Sequence, residues 1–186
     1  MIILVVGGSK SGKSMLGQRL AKKLESKDSN LYYIATMKPY DKEDIKRINN
    51  HLIERDGWGF KTIEQGRNIE EVAAKVKKGD TLLLDSVTSI VTNEMFIEEQ
   101  FIMNVSEKIF DGIKKLSSKD INLVIVTDYL FSDSILYDDY TEAFRREIGK
   151  ININLAKISD IVIECCFNNN IIHKGKRYVG DLIWWS

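Results

Sequence analysis

The sequence predicts an α/β protein in which a mostly parallel central sheet is flanked by helices and ends in a C-terminal hairpin. Short runs rich in β-branched residues alternate with longer amphipathic stretches, as in a sheet covered by helices. Several of the short runs are apolar almost throughout, which is typical of parallel strands buried on both faces. The length of 186 residues fits a single domain spanning 1–186.

The predicted elements alternate along the chain. Strands are expected at 2–6, 31–35, 81–84, 122–127 and 160–166. Helical spacing covers 13–25, 42–55, 69–78, 98–116 and 140–158. The C-terminal hairpin is expected to pair 170–173 with 177–179. Trp184 and Trp185 follow it, and we expect them to pack on the core or on a neighbouring subunit.

Composition excludes several classes of protein. The 27 basic and 27 acidic side chains give a net charge of zero, which argues against a nucleic-acid-binding surface. No run approaches the roughly 18 apolar residues of a membrane span. The apolar N-terminus lacks a basic segment and a cleavage site, so it is interpreted as a buried strand. The adjacent Cys165 and Cys166 are interpreted as reduced core residues, and the expected location is cytoplasmic.

A phosphate-binding loop is predicted between the first strand and the first helix. The pattern G-x-x-x-x-G-K-[ST] is matched by Gly7, Gly8, Ser9, Lys10, Ser11, Gly12, Lys13 and Ser14. The glycines allow backbone N–H groups to approach phosphate oxygens, and the helix N-terminus adds partial positive charge. Lys13 is expected to reach the β- and γ-phosphates, and Ser14 to supply a hydroxyl ligand to Mg²⁺.

An acid that supports magnesium is expected at the end of a neighbouring buried strand. Asp85 fits, because it directly follows three leucines in a predicted strand. Together with the loop, Ser14 and Asp85 predict a metal site and a nucleoside triphosphate as substrate.

A second region carries a histidine between two arginines. Arg47, His51 and Arg55 recur every four residues, so a helix places them on one face. Neutral imidazole can attack phosphorus and pass the group on. From the spacing alone, a phosphate contact, a nucleophile and a solvated helix face all remain open.

Several motifs, in order, resemble the bifunctional adenosylcobinamide kinase / adenosylcobinamide-phosphate guanylyltransferase family. The loop resembles the family's G-G-x-R-S-G-K-S. Tyr33-Ile34-Ala35-Thr36 matches Y-I-A-T, and Arg47-Ile48 with His51 matches R-I-x-x-H. Trp58 with Thr62-Ile63-Glu64 matches W-x-T-x-E, and Asp85 with Thr92-Asn93 matches an acid followed by T/S-N. The pattern F-R-D-x-x-G-x-x-N-x-x-L-A is matched by Phe144-Arg145, Gly149, Asn152 and Leu155-Ala156.

The resemblance implies a fold, two activities and a set of site residues. The protein is expected to phosphorylate adenosylcobinamide with GTP or ATP, then to transfer GMP from GTP through guanylylated His51. Lys13 and His51 are the implied catalytic residues. Implied nucleotide contacts outside the loop are Ala35, Thr36, Met37, Leu52, Ile53, Glu54, Arg55, Glu64 and Asp85. The family also implies a homotrimer and a P-loop fold.

The chain departs from the family pattern after its fourth predicted strand. Val126-Thr127-Asp128-Tyr129-Leu130-Phe131 stands where the family shows V-T-N-E-V-G, and Arg146 replaces the aspartate of F-R-D. Lys10 replaces an arginine, which removes bidentate phosphate geometry. Two alternatives remain open at this stage: a small-metabolite kinase without the covalent step, and a non-enzymatic nucleotide-dependent binding module.

Overall fold

The computed structural model describes residues 1–98, 100–130, 134–167 and 169–180, and only the backbone of Arg47. Its strands are β1 (Ile2–Gly7), β2 (Leu31–Ala35), β3 (Lys61–Glu64), β4 (Thr81–Asp85), β5 (Phe96–Ile97), β6 (Gln100–Phe101), β7 (Asn122–Asp128), β8 (Ile161–Cys166) and β9 (Asn169–Lys174). Its α-helices are α1 (Lys13–Leu24), α2 (Lys42–Glu54), α3 (Val87–Met95), α4 (Val105–Ser117) and α5 (Asp139–Ile158). Single 3₁₀ segments cover Ile69–Ala74 and Lys176–Tyr178.

The central sheet has seven strands in the order β3-β2-β4-β7-β1-β8-β9. Every neighbouring pair is parallel except β8 and β9, which are antiparallel. The predicted mostly parallel sheet with a C-terminal hairpin is therefore confirmed. Because the six parallel strands share one direction, their carboxyl ends meet at one edge, where ligands gather in open α/β sheets.

Apolar residues cover both faces of this sheet. Along β1, Ile3 and Val5 pack with α1, whereas Leu4 packs with the helices of the opposite face. At Gly17 of α1 an added Cβ would lie 2.9 Å from Val126 Cγ2, so glycine permits close helix–sheet packing. In the part of the chain that the structure describes, no helix has the length and apolarity needed to cross a membrane.

Two predicted helices differ from the structure, and two elements of the structure were not predicted. The helix expected at 98–116 is wrong at its start, because β5 and β6 form a small antiparallel hairpin and α4 begins only at Val105. Asn104 adopts a left-handed conformation at that boundary (φ 59°), which a continuous helix does not allow. The helix expected at 69–78 is instead the 3₁₀ segment Ile69–Ala74. The edge strand β3 and helix α3 were not predicted.

The C-terminal hairpin is formed by different strands from those expected. Strand β9 (Asn169–Lys174) pairs with β8, and the strand expected at 177–179 is wrong. Gly175 has a φ of 81° and turns the chain into the 3₁₀ segment Lys176–Tyr178. Trp184 and Trp185 lie outside the described residues.

Candidate active site

The predicted phosphate loop joins the carboxyl end of β1 to the start of α1. Gly12 is the N-cap of α1, with a left-handed backbone (φ 87°) and no side-chain cap. A Cβ at Gly7 would lie 2.5 Å from Ser11 Oγ and 2.8 Å from the Cys165 carbonyl oxygen, so only glycine fits there. The first N–H groups of α1 are therefore left to bind an anion.

Lys13 already contacts an acid at this edge. Its buried Nζ donates to the Gly8 carbonyl oxygen at 3.0 Å and lies 2.6 Å from Asp128 Oδ1. Asp128 ends β7, the strand paired directly with β1. Asp128 was not among the predicted site residues, although its position at the end of an apolar strand is the same signal that identified Asp85.

Asp85 lies at the end of β4 and accepts two side-chain hydrogen bonds. Ser14 Oγ donates to Asp85 Oδ1 at 3.4 Å, and the Tyr33 hydroxyl donates to Asp85 Oδ2 at 3.0 Å. Burial raises the pKa of the Asp85 carboxyl, and the nearby charges of His51 and Lys13 act in the opposite direction. Burial and the adjacent Asp85 carboxylate also raise the pKa of the Tyr33 hydroxyl.

The expectation that the strand of Asp85 neighbours β1 is wrong. Strand β7 lies between β1 and β4. Ser14 nevertheless reaches Asp85, because α1 packs across both β7 and β4.

A cavity of about 650 Å³ lies beyond the ends of β2, β3 and β4. We call it the histidine cavity. It brings together the predicted residues Ala35, Thr36, Met37, His51, Leu52, Arg55, Glu64 and Asp85. Ile53 and Glu54 do not line it, because they lie on another side of α2, where Ile53 is 73% exposed.

Arg55 supplies a cation to the wall of the histidine cavity. Its guanidinium lies 4.0 Å from the centre of the Tyr33 ring and donates to Thr62 Oγ1 at 3.2 Å. Arg55 is buried and forms no ion pair with the described residues. A buried unpaired cation that faces a cavity favours an anionic ligand there.

His51 faces the same cavity with one ring nitrogen held by a carboxylate. Its Nδ1 lies 3.3 Å from Glu54 Oε2, one helical turn along α2. When Nδ1 carries the proton and donates to Glu54, Nε2 holds the free electron pair. The predicted alignment with Arg47 stays a prediction, since that side chain lies outside the described residues.

Asn93 fixes two loops that line the histidine cavity. This buried α3 residue donates from Nδ2 to the carbonyl oxygens of Thr36 at 2.8 Å and Gly66 at 2.9 Å. It therefore ties together the loops that follow β2 and β3. From the sequence, Asn93 stood out only as part of a motif, because its two carbonyl partners are distant in the chain.

Ser14 at the start of α1 and Asp85 at the end of β4 fit a magnesium ion. Ser14 and Asp85 present oxygen atoms 3.4 Å apart beside the phosphate loop. The described part of the chain has no group of three or more His, Cys, Asp or Glu side chains suited to a metal. Few protein ligands suit Mg²⁺, which keeps several waters and takes further oxygens from substrate phosphates.

A second cavity of about 370 Å³ lies beside the phosphate loop, and we call it the loop cavity. It is lined by Gly8, Ser9, Lys10, Ser11, Gly12, Tyr129, Cys165, Cys166 and Phe167. It lies over the ends of β7, β1 and β8 and shares no lining residue with the histidine cavity. Tyr129 belongs to the segment that departs from the family pattern; Phe131 of that segment lies outside the described residues.

The strand–loop–helix unit, with acids at the ends of nearby parallel strands, defines a nucleotide-binding protein of the P-loop class. A solved ATPase domain has the same fold, with a TM-score of 0.53 and 11% identity over 88% of this chain and 68% of that chain. A family model described as "Cobinamide kinase / cobinamide phosphate guanyltransferase" matches residues 3–168. The chain belongs to this family and is a transferase.

Two curated relatives are similar over almost the whole chain. The bifunctional adenosylcobalamin biosynthesis protein CobU of Escherichia coli is 38% identical over 178 residues, covering 87% of this chain and 93% of the relative. The protein of the same name from Salmonella typhimurium is 29% identical over 174 residues, with the same coverage. The resemblance found in the sequence is thus confirmed, and the non-enzymatic alternative is set aside. The covalent guanylyl step stays a prediction.

Proposed function

We propose that this chain phosphorylates the aminopropanol hydroxyl of adenosylcobinamide with GTP or ATP and then transfers GMP from GTP to the new phosphate, with guanylylated His51 as the intermediate. Family membership supports the two activities. The covalent step is supported by one observation above all: His51 lines the same cavity as Asp85, which contacts Ser14 of the phosphate loop helix.

The triphosphate is held by groups on two sides. The loop backbone and the N-terminus of α1 bind the β- and γ-phosphates, and Lys13 turns from Asp128 towards them. Arg55 contacts the phosphate nearest the nucleoside in the histidine cavity. Ser14 and Asp85 would hold Mg²⁺, which when bound would offset negative charge on the phosphate oxygens.

His51 performs the first part of guanylyl transfer. Its Nε2 electron pair forms a bond to the α-phosphorus of GTP, and the bond from that phosphorus to the α–β bridging oxygen breaks. Pyrophosphate leaves, and the imidazole carries a positive charge with its proton retained on Nδ1. Glu54 accepts the hydrogen bond from that proton and stabilises the charge.

The second part returns His51 to its starting form. An oxygen of the acceptor's phosphate forms a bond to the guanylyl phosphorus, and the phosphorus–Nε2 bond breaks. Imidazole leaves neutral, because Nδ1 has kept its proton throughout. The product is adenosylcobinamide-GDP, and the reaction needs no further proton donor at His51.

Mass spectrometry of the intact protein after incubation with GTP and magnesium tests this proposal. The native chain is expected to gain the mass of one GMP, and His51→Ala is expected to gain none. His173→Ala is the matched control, because the other histidine of the sequence pairs with Glu164 at 2.7 Å and lines neither cavity.

Three outcomes separate the possibilities. An adduct that persists in His173→Ala and disappears in His51→Ala supports the covalent route. An adduct in both variants places the modification on another residue. If native protein that demonstrably binds GTP gains no adduct, guanylyl transfer proceeds without a histidine intermediate.

A further inference from the structure

We infer that the loop cavity receives the hydroxyl-bearing arm of the acceptor substrate, and that Tyr129 and Phe167 form the apolar wall against which its macrocycle rests. This inference rests on the proposed function. It assigns to the acceptor a place of its own, separate from the histidine cavity that holds the nucleoside.

The positions of the two cavities along the sheet edge support this assignment. The histidine cavity lies over β3, β2 and β4, whereas the loop cavity lies over β7, β1 and β8. A nucleotide with its α-phosphorus at His51 extends its β- and γ-phosphates towards the loop. An in-line nucleophile approaches the γ-phosphorus from the side opposite the leaving oxygen. We assign that side to the loop cavity, because Gly8, which lines it, also accepts the hydrogen bond from Lys13.

The size of the loop cavity fits part of the acceptor. About 370 Å³ holds a short alkyl arm with its hydroxyl but is too small to enclose a corrin macrocycle as well. The macrocycle therefore rests outside, on the rim. Exposed apolar side chains at the rim can pack against the hydrocarbon surface of such a macrocycle, and an exposed apolar patch is typical of a binding site.

Phe167 is such an exposed apolar side chain at the rim of the loop cavity. Its residue is 93% exposed, although burial of a phenylalanine ring is strongly favourable. Its φ of 48° follows from its place in the short turn that joins the antiparallel strands β8 and β9, where left-handed conformations are usual. The exposure of the ring is explained if a ligand covers it.

Tyr129 lines the same cavity next to the phosphate loop itself. A Cβ added at Gly8 would lie 3.9 Å from both the ring edge and the hydroxyl oxygen of Tyr129. Tyr129 is 39% exposed and directly follows Asp128, the ion-pair partner of Lys13. An arm inserted between Tyr129 and Phe167 therefore ends beside the residues that hold the γ-phosphate.

One acceptor position serves both reactions. In the first, the acceptor hydroxyl oxygen bonds to the γ-phosphorus, the bond to the β–γ bridging oxygen breaks, the nucleoside diphosphate leaves and the proton goes to water. In the second, pyrophosphate has left the loop, and the acceptor's phosphate occupies its place facing guanylylated His51. The acceptor stays bound while the nucleotide in the histidine cavity is exchanged.

The test measures steady-state kinetics of both reactions for Phe167→Ala and Tyr129→Ala in the full chain. The KM for adenosylcobinamide in phosphorylation, and for its phosphate in GMP transfer, is expected to rise roughly tenfold through lost aromatic contact. The KM for GTP and the rate of His51 adduct formation are expected to stay unchanged. Ile153→Ala removes a side chain that is 59% exposed and lines neither cavity, and it controls for lost surface apolar area.

The outcomes are distinct from those that test the proposed function. Phe167 is almost fully exposed, so its removal leaves folding intact, and the His51 adduct reports on an intact nucleotide site. An increase in the donor KM of phosphorylation, with the acceptor KM unchanged, would show that the loop cavity holds a nucleoside instead. Unchanged acceptor KM values in both variants would overturn the inference, even where the adduct forms normally.

Discussion

The contact between Glu54 and His51 determines which imidazole nitrogen is free to react. Removing the carboxylate by Glu54→Ala is expected to slow His51 adduct formation by roughly tenfold, because Nδ1 loses its acceptor and the positive intermediate loses a neighbouring charge. Glu54→Gln keeps an acceptor oxygen without the charge and should lie between Ala and native. Rapid-quench measurement of adduct formation at saturating GTP gives these rates.

The same variants distinguish positioning of His51 from a contact with the nucleotide. Glu54 does not line the histidine cavity, so the KM for GTP should stay at the native value in both. Glu107→Gln, a change at an exposed acid of α4, serves as the control. A rise in KM with no change in the adduct rate would place Glu54 among the nucleotide contacts.

Residues of the site were predictable where their spacing is local. The phosphate loop follows from eight consecutive residues, and Asp85 follows from its place after a buried strand. Asp128 carries the same strand-end signal, but its contact with Lys13 depends on β7 lying beside β1, a non-local fact. His51 and Asp85 line the same cavity in the structure, yet the covalent role of His51 stays a prediction.

Among whole elements, apolar strands were predicted well and exposed ones were missed. Strand β3 has three exposed residues and one partly buried residue, so no apolar run reveals it. Its parallel pairing with β2 places it at the edge of the sheet. For α4, the apolar spacing continued into the β5–β6 hairpin, and nothing in that spacing marks the left-handed Asn104 where the helix begins.

Asn93 of α3 connects two loops that line the histidine cavity. Asn93→Ala leaves the carbonyl oxygens of Thr36 and Gly66 without their donor, and both belong to loops that line this cavity. We expect a loss of about 2 kcal/mol in the free energy of unfolding, because buried acceptors without a donor are costly. The corresponding fall in Tm, roughly 4–8 °C, is measurable by calorimetry.

The nucleotide affinity of the same variant shows whether the two loops matter for binding. The Kd for GTP should rise several-fold in Asn93→Ala, since Thr36 and Met37 lose their fixed position. Asn49→Ala, at an exposed position of α2, is the control and should change neither quantity appreciably. A lower Tm with native GTP affinity would mean that Asn93 stabilises the fold without shaping the site.

At the level of the whole molecule, the strand order could not be obtained from the sequence. Alternating strands and helices predict a parallel sheet, but many orders satisfy that alternation. The insertion of β7 between β1 and β4 places two acids, Asp128 and Asp85, at successive positions beside Lys13 and Ser14. One of these acids therefore pairs with the lysine, and the other contacts Ser14.

Global stability depends on a buried carboxylate that joins the two long helices on one face of the sheet. Glu147 of α5 is 3% exposed; its Oε2 accepts a hydrogen bond from the Ser106 N–H at the start of α4, and its Oε1 accepts one from Lys150. Burial alone raises the pKa of this carboxyl, but the hydrogen bonds from Lys150 and Ser106 outweigh burial and hold the pKa below its ordinary value. The positive end of the α4 dipole acts in the same direction.

A lowered pKa in the folded state means that Glu147 stabilises the fold above its unfolded pKa, near ~4.3, and loses this effect as the pH falls through the folded value. Glu147→Gln should therefore cost about 1–2 kcal/mol of unfolding free energy at about pH 7. That difference should disappear in acid, because the native carboxyl is then protonated too. Urea titrations of both proteins across this range measure it, and a difference independent of pH would assign the effect of Glu147 to packing rather than to its charge.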